Sequence, residues 1–160
     1  EKSQNYLINE SKESLFYSAS LVLDKLTKGE IKEIIPFDNL LNPDYKLKLK
    51  DEKILESSLN LSRATSEQLY LAVRLSRIMD IKSKLPIILD DSFVNFDSVN
   101  LKNTLEVLKD ISKTNQIFIL TCHSEIVSLA DNVFDNPKYY KIEDGTINNS
   151  DYKNLHDYLV

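Results

Sequence analysis

Glycine occurs only twice in the 160 residues, at Gly29 and Gly145, and that scarcity makes the first exclusion. No G-x-x-x-x-G-K-[ST] segment exists in the chain, so it cannot form the glycine-rich loop whose backbone N–H groups cradle a nucleotide's phosphates. Phosphoryl transfer depends on such a cradle for positioning and charge neutralisation, so no appreciable nucleotide hydrolysis is expected from this chain alone. Cysteine occurs once, at Cys122, which excludes an internal disulfide framework and a zinc site built from clustered cysteines. Long apolar runs are missing too: stretches such as Pro86 to Leu89 and Ile117 to Leu120 fall far short of the roughly 20 residues a membrane helix needs. The first residues, Glu1-Lys2-Ser3-Gln4-Asn5, carry no basic flank leading into an apolar stretch, so no secretory signal is expected and the expected location is cytoplasmic. Nor is there an excess of positive charge. With 20 basic against 25 acidic residues the net charge is −5, the wrong sign for a surface that tracks phosphate backbones throughout. DNA contact is expected to be local or made elsewhere.

What is present suits one compact domain. The length falls in the usual single-domain range, and 42% apolar with 28% charged residues is an ordinary globular balance. From Asn5 to Lys28 there is neither glycine nor proline, and Ile8, Leu15 and Val22 recur at heptad spacing with Ala19 and Leu26 between them. That pattern fits the end of a coiled coil and fits equally a surface helix with one buried stripe; Gly29 supplies its stop. Two short strands are expected next, Glu30 to Ile35 and Tyr45 to Lys50, separated by Pro36 and Asn42-Pro43-Asp44, and they read as a β-meander. The alternating Lys46, Lys48 and Lys50 mark a half-buried edge strand with solvated lysines, in preference to a basic face for phosphates. Glu52 to Leu61 leads into a second helix from about Ser66 to Ile81, with Leu69, Ala72, Val73, Leu75, Ile78 and Met79 on its apolar face.

The remainder alternates. Leu85 to Leu89 and Gln116 to Thr121 are apolar runs of strand length, Ser98 to Ser112 carries Leu101, Leu105 and Leu108 at helical spacing, and Glu125 to Ala130 reads as a short helix. A strand over Lys138 to Ile142, closed by Glu143-Asp144-Gly145, and a helix from Tyr152 to Leu159 complete the chain. This order predicts an α/β fold, a mostly parallel sheet with flanking crossover helices.

Both apolar strands end in groups that are costly to bury: Asp90-Asp91 after the first, Thr121-Cys122-His123 after the second. The carboxyl ends of parallel strands open on one edge, so Asp90, Asp91 and His123 can converge there. Two adjacent carboxylates suit magnesium, which prefers oxygen ligands and keeps several waters. The same acids are also common turn residues after a strand. Ahead of the second helix, Leu61-Ser62-Arg63-Ala64-Thr65-Ser66-Glu67-Gln68 places Thr65 and Gln68 at capping-box spacing. The helix's free N–H groups, with the Ser62 and Thr65 hydroxyls, could receive a phosphate.

Taken in order, these segments resemble the C-terminal lobe of an ABC-type, P-loop NTPase-like ATPase head of the SMC-like family. Leu61 through Leu75 resembles the signature segment and its helix, in the form L-S-x-G-T-x-E-Q-L-Y-L-A-x-R-L found in YhaN-type ATPases. Pro86 to Asp91 resembles a Walker B strand, Ser92 to Asp97 a D-loop, and Thr121-Cys122-His123 a switch-histidine loop. On this resemblance residues 1–28 are the coiled-coil entry, 30–50 the meander, and 52–160 the signature helix with the Walker B, D-loop and switch regions.

The resemblance implies that Asp90 holds Mg2+ through water, that Asp91 is the catalytic carboxylate polarising the attacking water, and that His123 senses the γ-phosphate. It implies that Ser62, Arg63, Ala64, Thr65 and Gln68 form the signature segment, with Ser62 and the backbone around Ala64 contacting ATP held by the opposite subunit, and that Asp97 lies at the dimer seam. The implied partners are an N-terminal Walker A lobe, a second head, DNA for the full assembly, and a nuclease in repair systems; no membrane is implied. Two positions depart from the wider pattern. Ala64 adds a Cβ where two glycines often let backbone approach phosphate, and Asp91 replaces the usual glutamate with a shorter acid. The expected function is half of an ATPase head that works at a composite dimer interface in DNA repair or chromosome-associated movement. The alternatives are a non-catalytic dimerisation module and the motor subunit of an anti-phage defence system.

Overall fold

The computed structural model describes residues 2–36, 45–56, 61–81 and 84–160, with side chains from residue 13 onward. It divides into two compact units, Glu1–Ser83 and Lys84–Val160. The side chain of Ile8, the Asn42-Pro43-Asp44 turn and residues 57–60 lie outside what is described.

In the first unit, helix α1 (Lys2–Leu26) packs on strand β1 (Ile31–Pro36) and on helix α2 (Arg63–Asp80). Ala19, Val22, Leu23 and Leu26, spaced along one helical face, are buried together with Ile34, Leu47, Ala72 and Leu75. Two hydroxyls, one on α1 and one on the residue that follows it, also bind the strand. Ser20 Oγ accepts from Ile34 N–H at 2.8 Å and Thr27 Oγ1 from Ile31 N–H at 3.1 Å, satisfying strand donors that would otherwise be unpaired. The α1 terminus is a Schellman closure. Lys28 N–H donates to Lys25 O at 3.2 Å and Gly29 N–H to Asp24 O at 2.7 Å, the paired bonds that define the motif. The stop is thus shared: Lys28 takes the left-handed position (φ 49°) ahead of Gly29 (φ 85°).

Strand β1 pairs antiparallel with β2 (Tyr45–Leu49), and β2 with a two-residue strand, β3 (Ile54–Leu55). The meander therefore has a third member, and β2 lies at its centre instead of at an edge. The lysines of β2 and of the residue after it are ion-paired: Lys46 with Glu56 at 2.8 Å, Lys48 with Glu52 at 2.6 Å and Lys50 with Glu30 at 2.9 Å. Hydrogen bonds to Glu52 and Glu30, more than simple attraction, hold the Lys48 and Lys50 ammonium groups above their ordinary pKa.

In the second unit, β4 (Ile87–Asp90) and β5 (Ile117–Leu120) pair in parallel, joined through helix α3 (Ser98–Ser112). Helix α4 (Ser124–Val133) packs on α3 and on the terminal helix α5 (Tyr152–Leu159). Strands β6 (Tyr139–Glu143) and β7 (Thr146–Ser150) form an antiparallel hairpin. Its two-residue loop is Asp144-Gly145, both at positive φ (48° and 73°), as a primed turn requires. Beside this hairpin, Tyr139 Oη donates to Asp131 Oδ1 at 2.7 Å. Burial first, and that hydrogen bond second, push the phenol's pKa well above its usual range, so it remains a donor.

Leu101, Leu105, Leu108 and Ile111 of α3 bury with Ile87, Leu89, Phe93 and Ile126. Leu105→Ala is expected to lower unfolding free energy by about 2–5 kcal/mol through lost transfer energy and a residual cavity. Val99→Ala, at an exposed position of the same helix, is expected to stay within about 0.5 kcal/mol. Urea unfolding of the two variants checks this contrast.

No helix among the described residues is long and apolar enough to cross a membrane.

Candidate functional site

The parallel pairing of β4 with β5 builds the site. The registers Leu89↔Ile119 and Asp90↔Leu120 bring both carboxyl ends to the same level. Asp91 N–H extends the ladder by one bond, donating to Leu120 O at 3.0 Å. The backbone then turns at Asp91 through a left-handed conformation, φ 43°, which aspartate tolerates better than most residues. Across from it, Thr121 Oγ1 accepts from His123 N–H at 3.1 Å, shaping the loop that opens α4.

The result is a cluster of three different donor groups: a carboxylate oxygen of Asp91, Sγ of Cys122 and an imidazole nitrogen of His123 all lie within 4.8 Å of one another. All three residues are exposed. Of the residues singled out in the sequence, Asp91 and His123 thus meet, while Asp90, exposed at the strand end, is not one of the three. Cys122 is the member that sequence reasoning passed over. Its signal was its place between Thr121 and His123, directly after a strand in parallel register with the one ending in Asp90-Asp91.

Following Asp91, Phe93 is buried and packs against Phe96, the rings tilted at 50° with centroids 5.8 Å apart, anchoring the loop. Asp97 ends this loop as the N-cap of α3. Its Oδ1 accepts from Val99 N–H at 3.0 Å and Asn100 N–H at 2.8 Å, and its Oδ2 accepts from Asn100 Nδ2 at 2.8 Å. An open groove of about 310 Å³ runs past this loop, lined by Phe93, Phe96, Cys122, His123 and Glu125 among others.

The hydroxyl-rich segment belongs to the first unit, and here the structure corrects the expected helix start. Ser62, not Thr65, is the N-cap of α2: its Oγ accepts from Thr65 N–H at 3.1 Å and lies 2.8 Å from Thr65 Oγ1. Helix α2 therefore begins three residues earlier than the capping-box spacing implies. Gln68 does not reach back to a cap; it is 2% exposed and donates from Nε2 to Leu26 O at 3.3 Å. Arg63 is exposed with Nε 3.7 Å from Glu67 Oε1, and Ala64 is half-buried in the first turn. The exposed part of the segment is thus Ser62 with the opening turn of an 18-residue helix.

The chain has the fold of an SMC ATPase head domain. A solved structure described as "Structural biochemistry of ATP-driven dimerization and DNA stimulated activation of SMC ATPases" superposes with a TM-score of 0.75 at 16% identity, over 96% of this chain and 94% of that one. The Smc head domain with a coiled coil and joint from Pyrococcus yayanosii gives 0.70 at 15% identity, over 99% of this chain and 31% of that one. The SMC head domain from Thermotoga maritima gives 0.61 at 16% identity, over 91% and 50%. In sequence, 69 residues are 49% identical to the uncharacterized protein YhaN of Bacillus subtilis (strain 168), a match that covers 41% of this chain and 7% of that protein's length. No protein-family model matches the chain.

Proposed function

We propose that this chain is the C-terminal lobe of an SMC-like ATPase head and completes a composite ATP site when joined by a lobe that carries a P-loop. The observation that carries this reading is the meeting of Asp91 and His123 across the parallel β4–β5 pair, within 4.8 Å of each other. An acid able to polarise water and an imidazole able to sense a phosphate are two of the groups such a site requires. Asp90 and Asp91 are exposed oxygen donors at the strand ends, and this donor set fits Mg2+. When bound, the ion would supply charge neutralisation between phosphate oxygens. Asp90 would hold its water shell, leaving Asp91 to orient the attacking water and His123 to donate toward the γ-phosphate. Ser62, with the backbone of Arg63, Ala64 and Thr65, would meet the γ-phosphate of a nucleotide held by a second head, where helix N–H groups favour negative charge. Asp97 and the loop it closes would lie at the seam between heads.

A further feature supports a missing lobe. Ile88 and Phe118 are register partners on one face of the β4–β5 pair and are 66% and 41% exposed. Adjacent apolar side chains on a sheet face are the kind of surface a neighbouring layer covers. The P-loop lobe is its proposed occupant, whether from the same polypeptide or from another chain. Closure of two such heads on ATP, acting on DNA through an attached coiled coil, is the proposed wider role.

The test is reconstitution. Co-expression with the P-loop lobe of the same system is expected to yield a complex that hydrolyses ATP and dimerises in ATP, whereas the isolated chain does neither. The Cβ of Ala64 favours a second reading, a dimerisation module without catalysis, because it narrows the approach of phosphate to the helix turn. Dimerisation that ignores ATP in sedimentation would select that module over the motor.

A further inference from the structure

We propose that Asp91, Cys122 and His123 form a binding site for a borderline-soft divalent cation, zinc above all, separate in chemistry from the oxygen-ligated magnesium proposed for the nucleotide. Three observations converge. The ligand atoms are a carboxylate oxygen, a thiol sulfur and an imidazole nitrogen, the three donor types zinc takes, and they already lie within 4.8 Å of one another. Tetrahedral zinc, with bonds of about 2.0–2.3 Å, needs its ligands roughly 3.3–3.7 Å apart. Closing onto the metal therefore asks for side-chain rotation of about 1 Å in exposed groups, not a change of fold.

The backbone beneath the cluster is fixed by the 3.0 Å bond from Asp91 N–H to Leu120 O and the 3.1 Å bond from His123 N–H to Thr121 Oγ1. No hydrogen bond to the Asp91 carboxylate or the His123 imidazole is found among the described residues, and Cys122 is a free thiol. The donors are available. Three protein ligands leave a fourth position to water, the arrangement of open zinc sites.

The sulfur decides the selectivity. Magnesium seeks hard oxygen ligands and gains little from a thiolate, whereas zinc binds it at full strength. On binding, the Cys122 thiol loses its proton to solvent and the sulfur donates its electron pair to the metal; no redox change occurs. Resting on the function proposed above, the site has a regulatory consequence: zinc would occupy the carboxylate and the imidazole that hydrolysis requires, and so would inhibit turnover reversibly.

The binding experiment needs no nucleotide. The reduced, metal-free chain is titrated with Zn2+ against a chromogenic chelator, and with Co2+ to read the thiolate-to-metal charge-transfer band. One zinc per chain is expected, with the thiol protected from alkylation. Cys122→Ser is expected to abolish the band, and both it and His123→Ala to weaken zinc binding by at least about ten-fold. His156→Ala, which alters the remaining histidine, is expected to bind as the unaltered chain does. Zinc affinity unchanged in Cys122→Ser, or an alkylation rate indifferent to zinc, would overturn the site. In the reconstituted head, zinc bound at Cys122 without effect on turnover would keep the site, overturn the regulation, and count against the roles given to Asp91 and His123. A head that loses turnover on Asp91→Asn yet binds no zinc would keep those roles and overturn the site.

Discussion

Replacing Asp91 by asparagine in the reconstituted head is expected to cut ATP turnover by about 100-fold to 10,000-fold, the range a positioned general base contributes. Asparagine is the informative choice for a structural reason. Asp91 sits at φ 43°, where asparagine and aspartate are tolerated and most other residues are strained. An alanine there would confound lost chemistry with backbone cost, and a glutamate would combine a longer reach with the same strain. Asp91→Asn preserves size, turn conformation and the N–H that pairs with Leu120 O, and removes the charge together with one acceptor oxygen. Nucleotide binding is therefore expected to persist or tighten, since one negative charge near the triphosphate is gone. Steady-state turnover and binding of a fluorescent nucleotide, measured on the same preparation, separate the two. Turnover that survives the substitution would remove Asp91 from the chemistry and leave the cluster with a metal-binding role alone.

How much of this was legible beforehand follows the range of the interactions involved. Helices α3 and α5 are where the sequence puts them, Ser98–Ser112 and Tyr152–Leu159, because each is started by a local cap, Asp97 and Asp151, bonded to N–H groups two or three residues on. Helix α2 has three hydroxyl residues near its start, Ser62, Thr65 and Ser66, and local spacing favours the wrong one. Gln68 is drawn into the core by Leu26, 42 residues away in sequence, so the residue that would complete the Thr65 capping box is engaged elsewhere. Strand β3 has only two residues, too few for any alternation, and its pairing is what makes β2 central. Strand β7 carries one apolar residue, Ile147; the Asp144-Gly145 pair was a hairpin signal that reads equally as a stop. The meeting of Asp91 and His123 was legible because parallel pairing forces it once both strands are recognised. Cys122 was not, since a single cysteine gives no spacing pattern and its significance rests on the side chains across the ladder.

The last expectation concerns Ser62, and it distinguishes a site shared between heads from one contained in a single head. Ser62→Asp keeps the N-cap of α2, because aspartate caps as well as serine, so unfolding free energy is expected to change by less than about 0.5 kcal/mol. It also places a negative charge where a γ-phosphate would sit, and like-charge juxtaposition at an interface costs several kcal/mol. ATP-driven dimerisation and turnover should accordingly fall by about two orders of magnitude or more. If Ser62 serves the partner's nucleotide while Asp91 serves its own, the two substitutions complement. Equal mixing of Ser62→Asp heads with Asp91→Asn heads, at a concentration high enough for all heads to dimerise, makes mixed dimers in about half the population, each with one intact site, so turnover is expected to recover to about a quarter of the unaltered level. A site in which Ser62 and Asp91 act within one head allows no such recovery, because every site in the mixture then carries one of the two lesions. Turnover in the mixture that stays at the level of either variant alone would therefore exclude the shared arrangement, even if both substitutions are individually inactivating.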